Sequence, residues 1–343
     1  MATFSNEISR DPMERTFLGT PVVMYRKLDG DPVAMYGICP HRYAPLATGR
    51  LEGDALACGY HGFVFEADGW CSNIPSQSTP AKFCQPTYPI VERGPLCWIW
   101  MGDPDKADPA VIPPYADFGL GEDGWHYSSE NYYHIKGRAQ LLIDNLMDLT
   151  HLPYVHHHVP GGEAMKAPKI ETEERDISYR VSRFAKSPHT PFHVHIFGPD
   201  TKFEGMSDFL ALSDYYGPEF IRTSLPITIK LDNGEPVPEG LGSLFILHGI
   251  TPETENSTHY FGFSTRNFRL GDAALDKMQQ ESDIKIRAQD VETIEDVERR
   301  LEASAALQRE FLVRSDRPAI TVRKKIQEML EKEAAEALAA HSA

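Results

Sequence analysis

The stretch CPHRYAPLATGRLEGDALACGYHGFVFE, running from Cys39 to Glu66, constrains the fold of this chain more than any other. It sets a Cys-x-His pair, Cys39 and His41, and a Cys-x-x-His pair, Cys58 and His61, on two candidate loops with sixteen residues between them. Two thiolates and two imidazoles can hold a tetrahedral zinc, and zinc ribbons draw their ligands from paired loops. They can also hold a two-iron, two-sulfide cluster in which both thiolates bind one iron and both imidazoles the other. That second arrangement needs each loop to give one ligand to each iron, and loops that each carry one Cys and one His meet the need. Gly59 and Gly62 would let backbone amides approach the sulfides, where hydrogen bonds tune the potential. Cys71, Cys84 and Cys97 have no comparable partners and read as small buried hydrophobes. An odd total of five cysteines in 343 residues argues for metal ligation over a disulfide framework.

Up to about Pro104 short apolar runs such as TPVVMYRKL and LCWIWMG alternate with turns such as LDGD and EADGW, the pattern of a small all-β domain. The Pro- and Asp-rich DPDKADPAVIPP that follows reads as a linker. Beyond it come a helical candidate at AQLLIDNLMDLTHL and alternating segments FHVHIF, FIRTSLPITIKL, SLFILHGI and STHYFGFSTRNF, expected to be strands of an antiparallel sheet with one covered face. Two long helices are expected from Asp272 onward. A formal charge of -16, from 50 Asp and Glu against 34 Lys and Arg, argues against nucleic acid or an anionic membrane surface as the main partner. No apolar run approaches the ~20 residues that span a bilayer, and MATFSNEISR has no secretory pattern, so a cytoplasmic protein is expected.

NLMDLTHLPYVHHH offers a second metal site. An ideal helix would place His151 and His156 about 140° apart, so a bend is required, and Pro153 between them supplies a reason for a kink. Asp148 lies one turn before His151. Two imidazoles want a carboxylate to complete a non-haem iron site. In QESDIKIRAQDVETIEDVERRL, Asp290 shares helical register with Ile286, Ile294, Val297 and Leu301, an acid on an apolar stripe, and a buried acid needs a pairing or a metal. Asp296 is expected to be solvated, and Glu295 is the next candidate ligand.

CPHR, CGYHG, WIWMGDP, NLMDLTHLPYVH, TPETENSTHYF and QDVETIEDVERR together resemble the oxygenase component of a Rieske non-haem iron oxygenase over nearly the whole chain, most closely the vanillate and dicamba O-demethylase branch. The resemblance implies an α+β protein: an all-β Rieske domain over 1–103, a linker over 104–125, and a helix-covered antiparallel-sheet catalytic domain of the helix-grip, START-like kind over 126–343. It implies a 2Fe-2S cluster on Cys39, His41, Cys58 and His61, and a mononuclear Fe(2+) on His151, His156 and Asp290. Asp148 would bridge cluster and iron across the subunits of a head-to-tail homotrimer, with Asn145 near the iron. His248 aligns with a histidine that contacts the substrate carboxylate in the dicamba branch, although a solvent-facing or satisfied core histidine fits that strand position as well. His193 and His195 read as a solvated strand face. Relatives carry a Trp-Tyr pair just before the segment equivalent to ATFSNEIS; its absence points either to a truncated start or to a short first strand.

The implied activity is that of a terminal oxygenase. It takes NADH-derived electrons from a separate reductase or ferredoxin, since the chain has no dinucleotide-binding fingerprint. It uses O2 to remove an O- or N-methyl group from a small aromatic substrate as formaldehyde. Ring or benzylic hydroxylation is the alternative within the class. A pure electron carrier would lack the second site, and a zinc-stabilised binding module would be colourless.

Overall fold

A computed structural model describes all residues except 79–81, 158–165, 167–168, 189–205, 225–226, 231–241, 304–308 and 343. The chain divides into two compact units, Met1–Pro113 with Thr251–Ser257, and Pro114–Ile250 with Thr258–Ala343. The strand expected at FHVHIF, with His193 and His195, lies outside the described residues.

The first unit is all β. Its strands are β1 (Thr3–Phe4), β2 (Met13–Phe17), β3 (Thr20–Arg26), β4 (Pro32–Tyr36), β5 (Arg50–Glu52), β6 (Ala55–Ala57), β7 (Val64–Phe65), β8 (Cys71–Asn73), β9 (Ile90–Arg93) and β10 (Leu96–Ile99). They form three small antiparallel sheets of order β1-β10-β9, β2-β3-β4 and β5-β6-β7-β8. Strand β3 is apolar on both faces because it is buried on both. Val23 and Tyr25 join Met35, Leu46, Leu56, Phe65, Cys39 and Cys58 in one core, while Val22 and Met24 meet Ala2, Ile8, Phe17 and Cys97 in another. The first strand is two residues long, yet Phe4 is buried and the pairing of Thr3 with Cys97 fixes it. Cys71 and Cys97 are buried as their spacing suggested, but Cys84 is exposed. It lies next to Gln85, whose buried side chain, not the cysteine, ties this segment to the carbonyls of Tyr36 and Ile38.

The second unit is built on one antiparallel sheet. Its strands are β11 (His126–Ile135), β12 (Ile170–Glu174), β13 (Tyr179–Pro188), β14 (Met206–Gly217), β15 (Phe220–Ser224), β16 (Ile227–Lys230), β17 (Leu244–Pro252) and β18 (Thr258–Arg266). The order is β11-β18-β17-β15-β14-β13-β12, with β16 beside β14. Helices α1 (Ala139–Met147), α2 (Leu152–Val155), α3 (Ala273–Ala303) and α4 (Arg317–Ser342) complete it. This is the α+β class that the sequence pattern predicts. Leu142, Ile143, Leu146 and Met147 of α1 meet Ile294 of α3, Val322 of α4 and Val181, Tyr215, Ile221 and Tyr260 of the sheet in one core. β18 is buried along its whole length, so the expected alternation with a solvated face fails there.

Two helical expectations change. No proline kink within one helix brings the histidines together: α1 ends at Met147, ahead of both, where Asp148 leaves helical geometry and its carboxylate accepts from the amide and hydroxyl of Thr150 at 2.7 and 2.5 Å, and α2 is a separate turn running from His151 to His156. Pro153 then sits in the first turn of α2, where its missing N–H leaves nothing unpaired. On α3 the buried positions are Leu275, Gln279, Arg287, Asp290, Ile294 and Glu298, and Val297 is 40% exposed. The stripe that carries Asp290 is therefore mostly polar, and each of its charges has a partner. Arg287 is held by Asp283 at 2.7 Å, and Glu298 by the backbone amide and Nε of Arg138 at 3.0 and 2.8 Å. The remaining polar member, Gln279, accepts from the fully buried Arg266 of β18 at 3.2 Å.

Candidate functional site

The two cysteine loops repeat one backbone design. The amide of Cys39 donates to the Ala44 carbonyl at 2.8 Å and that of Tyr43 to the Cys39 carbonyl at 2.9 Å. In the second loop Cys58 donates to Phe63 at 2.8 Å and Gly62 to Cys58 at 3.0 Å. Each loop closes through a left-handed residue four positions after its cysteine, Tyr43 at φ 58° and Gly62 at φ 71°. A Cβ on Gly59 would lie 2.6 Å from the Thr48 carbonyl oxygen, so that glycine is needed for close backbone approach.

This design turns both cysteines into the core and leaves both histidines exposed. The imidazoles of His41 and His61 stand edge to face, 4.5 Å between centroids, with His41 stacked on Phe63 at 4.7 Å. Burial, together with the adjacent Cys58 thiol, pushes the Cys39 thiol up to about 11, while the backbone amides of His41 and Arg42 aim at its sulfur and favour the thiolate. Paired buried thiols, amides pointed at sulfur and paired outward imidazoles fit a cluster bound by cysteine on its inner side and by histidine on its outer side.

In the second unit His151 caps the start of α2 and His156 its end, so a single turn of helix brings their rings to 5.2 Å. Asp290 faces both, its Oδ1 3.6 Å from His151 Nε2 and 3.2 Å from His156 Nε2. The three ligand atoms lie within 4.8 Å of one another, and Asp290 and His156 are buried. The Nδ1 atoms are both committed, that of His151 to the Asp148 carbonyl and that of His156 to Gln289 Oε1 at 3.0 Å. Since a carbonyl oxygen only accepts, each neutral imidazole carries its proton on Nδ1 and turns a bare Nε2 toward Asp290. Asn145 donates to Asp290 at 3.3 Å, and its Oδ1 is buried with no partner among the described residues. Burial favours the uncharged form of both rings; in His156 the hydrogen bonds of Asp290 and Gln289 outweigh it and raise the pKa, whereas in His151 burial prevails and lowers it. Two bare nitrogens and a carboxylate around one point fit Fe(II) and leave coordination positions open.

The other sequence candidates separate clearly. Glu295 accepts from the Lys136 amide at 3.0 Å, and Asp296 pairs with Arg299 on the surface. The Asp148 carboxylate is engaged with Thr150, so within the chain it is the backbone of Asp148 that orients His151. His248 on β17 is buried, not solvated, and meets Thr223, Tyr260 and Arg287. Gln289 and Arg287 were missed. A periodicity that counted polar residues along 275, 279, 283, 287, 290, 294 and 298 would have found Arg287, and Gln289 lies off that register.

Residues 1–89 match the model of the Rieske [2Fe-2S] domain, and residues 135–332 that of the vanillate O-demethylase oxygenase C-terminal domain. The chain belongs to the Rieske non-haem iron oxygenases of the vanillate O-demethylase family. It is 33% identical to the oxygenase component of dicamba O-demethylase from Stenotrophomonas maltophilia, covering 98% of this chain and 97% of that one. It is 36% identical to an iron-sulfur subunit of the toluene-4-sulfonate monooxygenase system of Comamonas testosteroni over 80% of each. A solved structure of dicamba monooxygenase bound to dicamba superposes with a TM-score of 0.85 at 30% identity, covering 97% of both chains, and that enzyme has also been solved with non-haem iron. The oxygenase is thus an oxidoreductase that uses a 2Fe-2S cluster and a mononuclear iron as the terminal component of a multicomponent system. No described helix is long and apolar enough to cross a membrane.

Proposed function

We propose that this oxygenase removes a methyl group from a methoxylated aromatic acid, yielding a phenol and formaldehyde. The observation that carries the reading is the buried set of His151, His156 and Asp290 in a chain that matches an O-demethylase along nearly its full length. In this reading Cys39, His41, Cys58 and His61 hold the cluster, and His151, His156 and Asp290 hold the iron. The iron, when bound, supplies dioxygen activation with electrons relayed by the cluster.

The chain's own part is positional. The Asp148 carbonyl and Gln289 fix the tautomers of the two imidazoles. Asn145 steadies Asp290 and keeps beside it an acceptor that has no partner among the described residues. Burial of Asp290 and His156 keeps bulk water from the reacting centre. His248 contacts the acid group of the substrate. Asp148 couples the iron histidine to a cluster histidine of the next subunit in a cytoplasmic head-to-tail homotrimer, and a separate reductase or ferredoxin delivers electrons from NADH.

A second reading, hydroxylation of an aryl methyl group, is favoured by the toluene-4-sulfonate monooxygenase relative. Oxygen uptake by the purified protein with a generic reductase and NADH, against methoxybenzoates and methylated arylsulfonates, decides between them. Demethylation releases one formaldehyde per O2 consumed. Coupled uptake without formaldehyde, giving a hydroxymethyl product, selects the second reading. Uptake uncoupled from every substrate of both panels defeats both.

A further inference from the structure

His248 is buried, and both of its ring nitrogens have partners among the described residues. Its Nε2 lies 2.9 Å from Thr223 Oγ1 on β15. Its Nδ1 lies 2.7 Å from the hydroxyl of Tyr260 on β18 and 2.8 Å from Nη1 of Arg287 on α3. Arg287 is itself 2% exposed. It is anchored through Nε to Asp283, and Asp283 in turn accepts from Asn131 at 2.8 Å. The slot for its guanidinium is built into β18: a Cβ on Gly262 would fall 2.4 Å from Nε of Arg287.

A guanidinium has donors and no acceptor. A proton on His248 Nδ1 would point an N–H at another N–H across 2.8 Å, so Nδ1 must accept. The rest of the chain of hydrogen bonds then has one direction. His248 Nε2–H donates to Thr223 Oγ1, and the Thr223 hydroxyl donates to the Ile246 carbonyl at 3.4 Å. The buried positive charge of Arg287 also opposes a second proton on the ring, adding to the effect of burial. Among the described residues the titratable or charged groups that face His248 are Tyr260 from β18 and Arg287, with Asp283 behind it, from α3; β15 presents only Thr223.

We infer that Arg287 is a positioning residue that holds His248 as a neutral imidazole with its proton on Nε2. The site therefore meets a substrate at this point with a neutral ring, whose single N–H is shared with Thr223, and never with a cation. The effect on specificity rests on the proposed function, in which His248 meets the acid group; the tautomer itself does not. Arg287, Gln289 and Asp290 occupy one turn of α3, so this turn sets the proton positions of His248 and His156 while presenting the carboxylate to His151 and His156.

The test reads the ring directly. In 15N-histidine-labelled full-length protein with zinc(II) at the mononuclear site, the His248 signal is identified by its loss in His248→Gln. It should show one protonated and one bare nitrogen from pH ~5.5 to ~8. An imidazolium at pH ~6, or a proton on Nδ1, overturns the inference without any further variant. The double variant Arg287→Met with Asp283→Asn removes the guanidinium without stranding a buried carboxylate. It should let the ring titrate near its ordinary ~6.5, and the KM of the holoenzyme for a methoxybenzoate should acquire that pH dependence while kcat changes little. Arg287→Lys, still a donor only, should restore the flat profile. Tyr260→Phe should leave the tautomer intact, and a changed tautomer there transfers the role to Tyr260 and overturns the assignment. If no methoxybenzoate is turned over by the wild type, the proposed function fails while the nitrogen spectra still decide on Arg287.

Discussion

The two candidate metal sites of this oxygenase are assembled in opposite ways. The candidate cluster donors all come from residues 39–61, and two loops of the same backbone geometry set them through main-chain hydrogen bonds. The iron donors come from the two ends of a one-turn helix and from Asp290, 134 positions after His156. A main-chain loop carries its geometry with it, and its ligands leave a short motif. A site closed by distant elements exists only when the sheet, α1 and α3 have packed, and it leans on side chains such as Gln289 and Asn145.

The largest test of that independence is a pair of variants. Asp290→Ala should abolish turnover and mononuclear iron binding, measured by metal analysis, and leave the visible spectrum of the cluster unchanged. His41→Cys should do the reverse, keeping the iron while shifting the spectrum and lowering the cluster potential, because thiolate donates more charge than imidazole. Co-loss of both metals in either variant would mean that the sites are not separately built.

Asp148→Asn addresses the proposed link between them. Cluster and iron should both remain, while reoxidation of the chemically reduced cluster in a single turnover with substrate and O2 falls to a small fraction of the normal rate. Wild-type kinetics would confine Asp148 to the turn with Thr150 that ends α1.

Gln289→Ala probes the side-chain dependence of the second site and should weaken iron binding about 10–100-fold in chelator competition, since the Nδ1 partner of His156 is gone. Unchanged affinity would show that packing alone orients the ring.

Glu298→Gln should destabilise the protein by about 1–2 kcal/mol at neutral pH, read from denaturant midpoints. The bonds from Arg138 hold the Glu298 carboxyl below its usual range. Its contribution is therefore present above the unfolded value of ~4.3 and fades as pH falls through the lowered folded value, so variant and wild type should converge in acid.

The smallest expected effects lie in the matched loops. Gly62→Ala forces a side chain into left-handed geometry with its Cβ 3.1 Å from Pro75, a cost of about 1–2 kcal/mol. Tyr43→Gly at the equivalent position relieves the same strain but loosens the unfolded chain, and should stay within about 0.5 kcal/mol of wild type.

The same contrast decides what could be read in the sequence. The Cys/His loops, the α+β class and the iron-site candidates His151, His156 and Asp290 were legible because each is a motif or a periodicity. The break after Met147 was not, since the helical pattern of AQLLIDNLMDLTHL runs on through it and only the Asp148–Thr150 turn shows where α1 ends. Val297 was expected inside because hydropathy counts apolar residues, whereas Arg287 and Glu298 are buried by virtue of partners on other elements, His248 and Arg138 respectively. Exposure of Cys84 follows from its neighbour Gln85 being the buried group.

The polar buried face of α3 also bears on mechanical precision. Two greasy surfaces tolerate sliding, because one apolar contact replaces another at little cost. A helix tied to its surroundings by Arg266 to Gln279, Arg287 to His248 and Arg138 to Glu298 has discrete detents along its axis. Moving it by one turn would strand every one of those buried groups at once. The carboxylate of Asp290 is thereby indexed along the helix axis to the two imidazoles it faces, much as teeth fix a rack against a pinion.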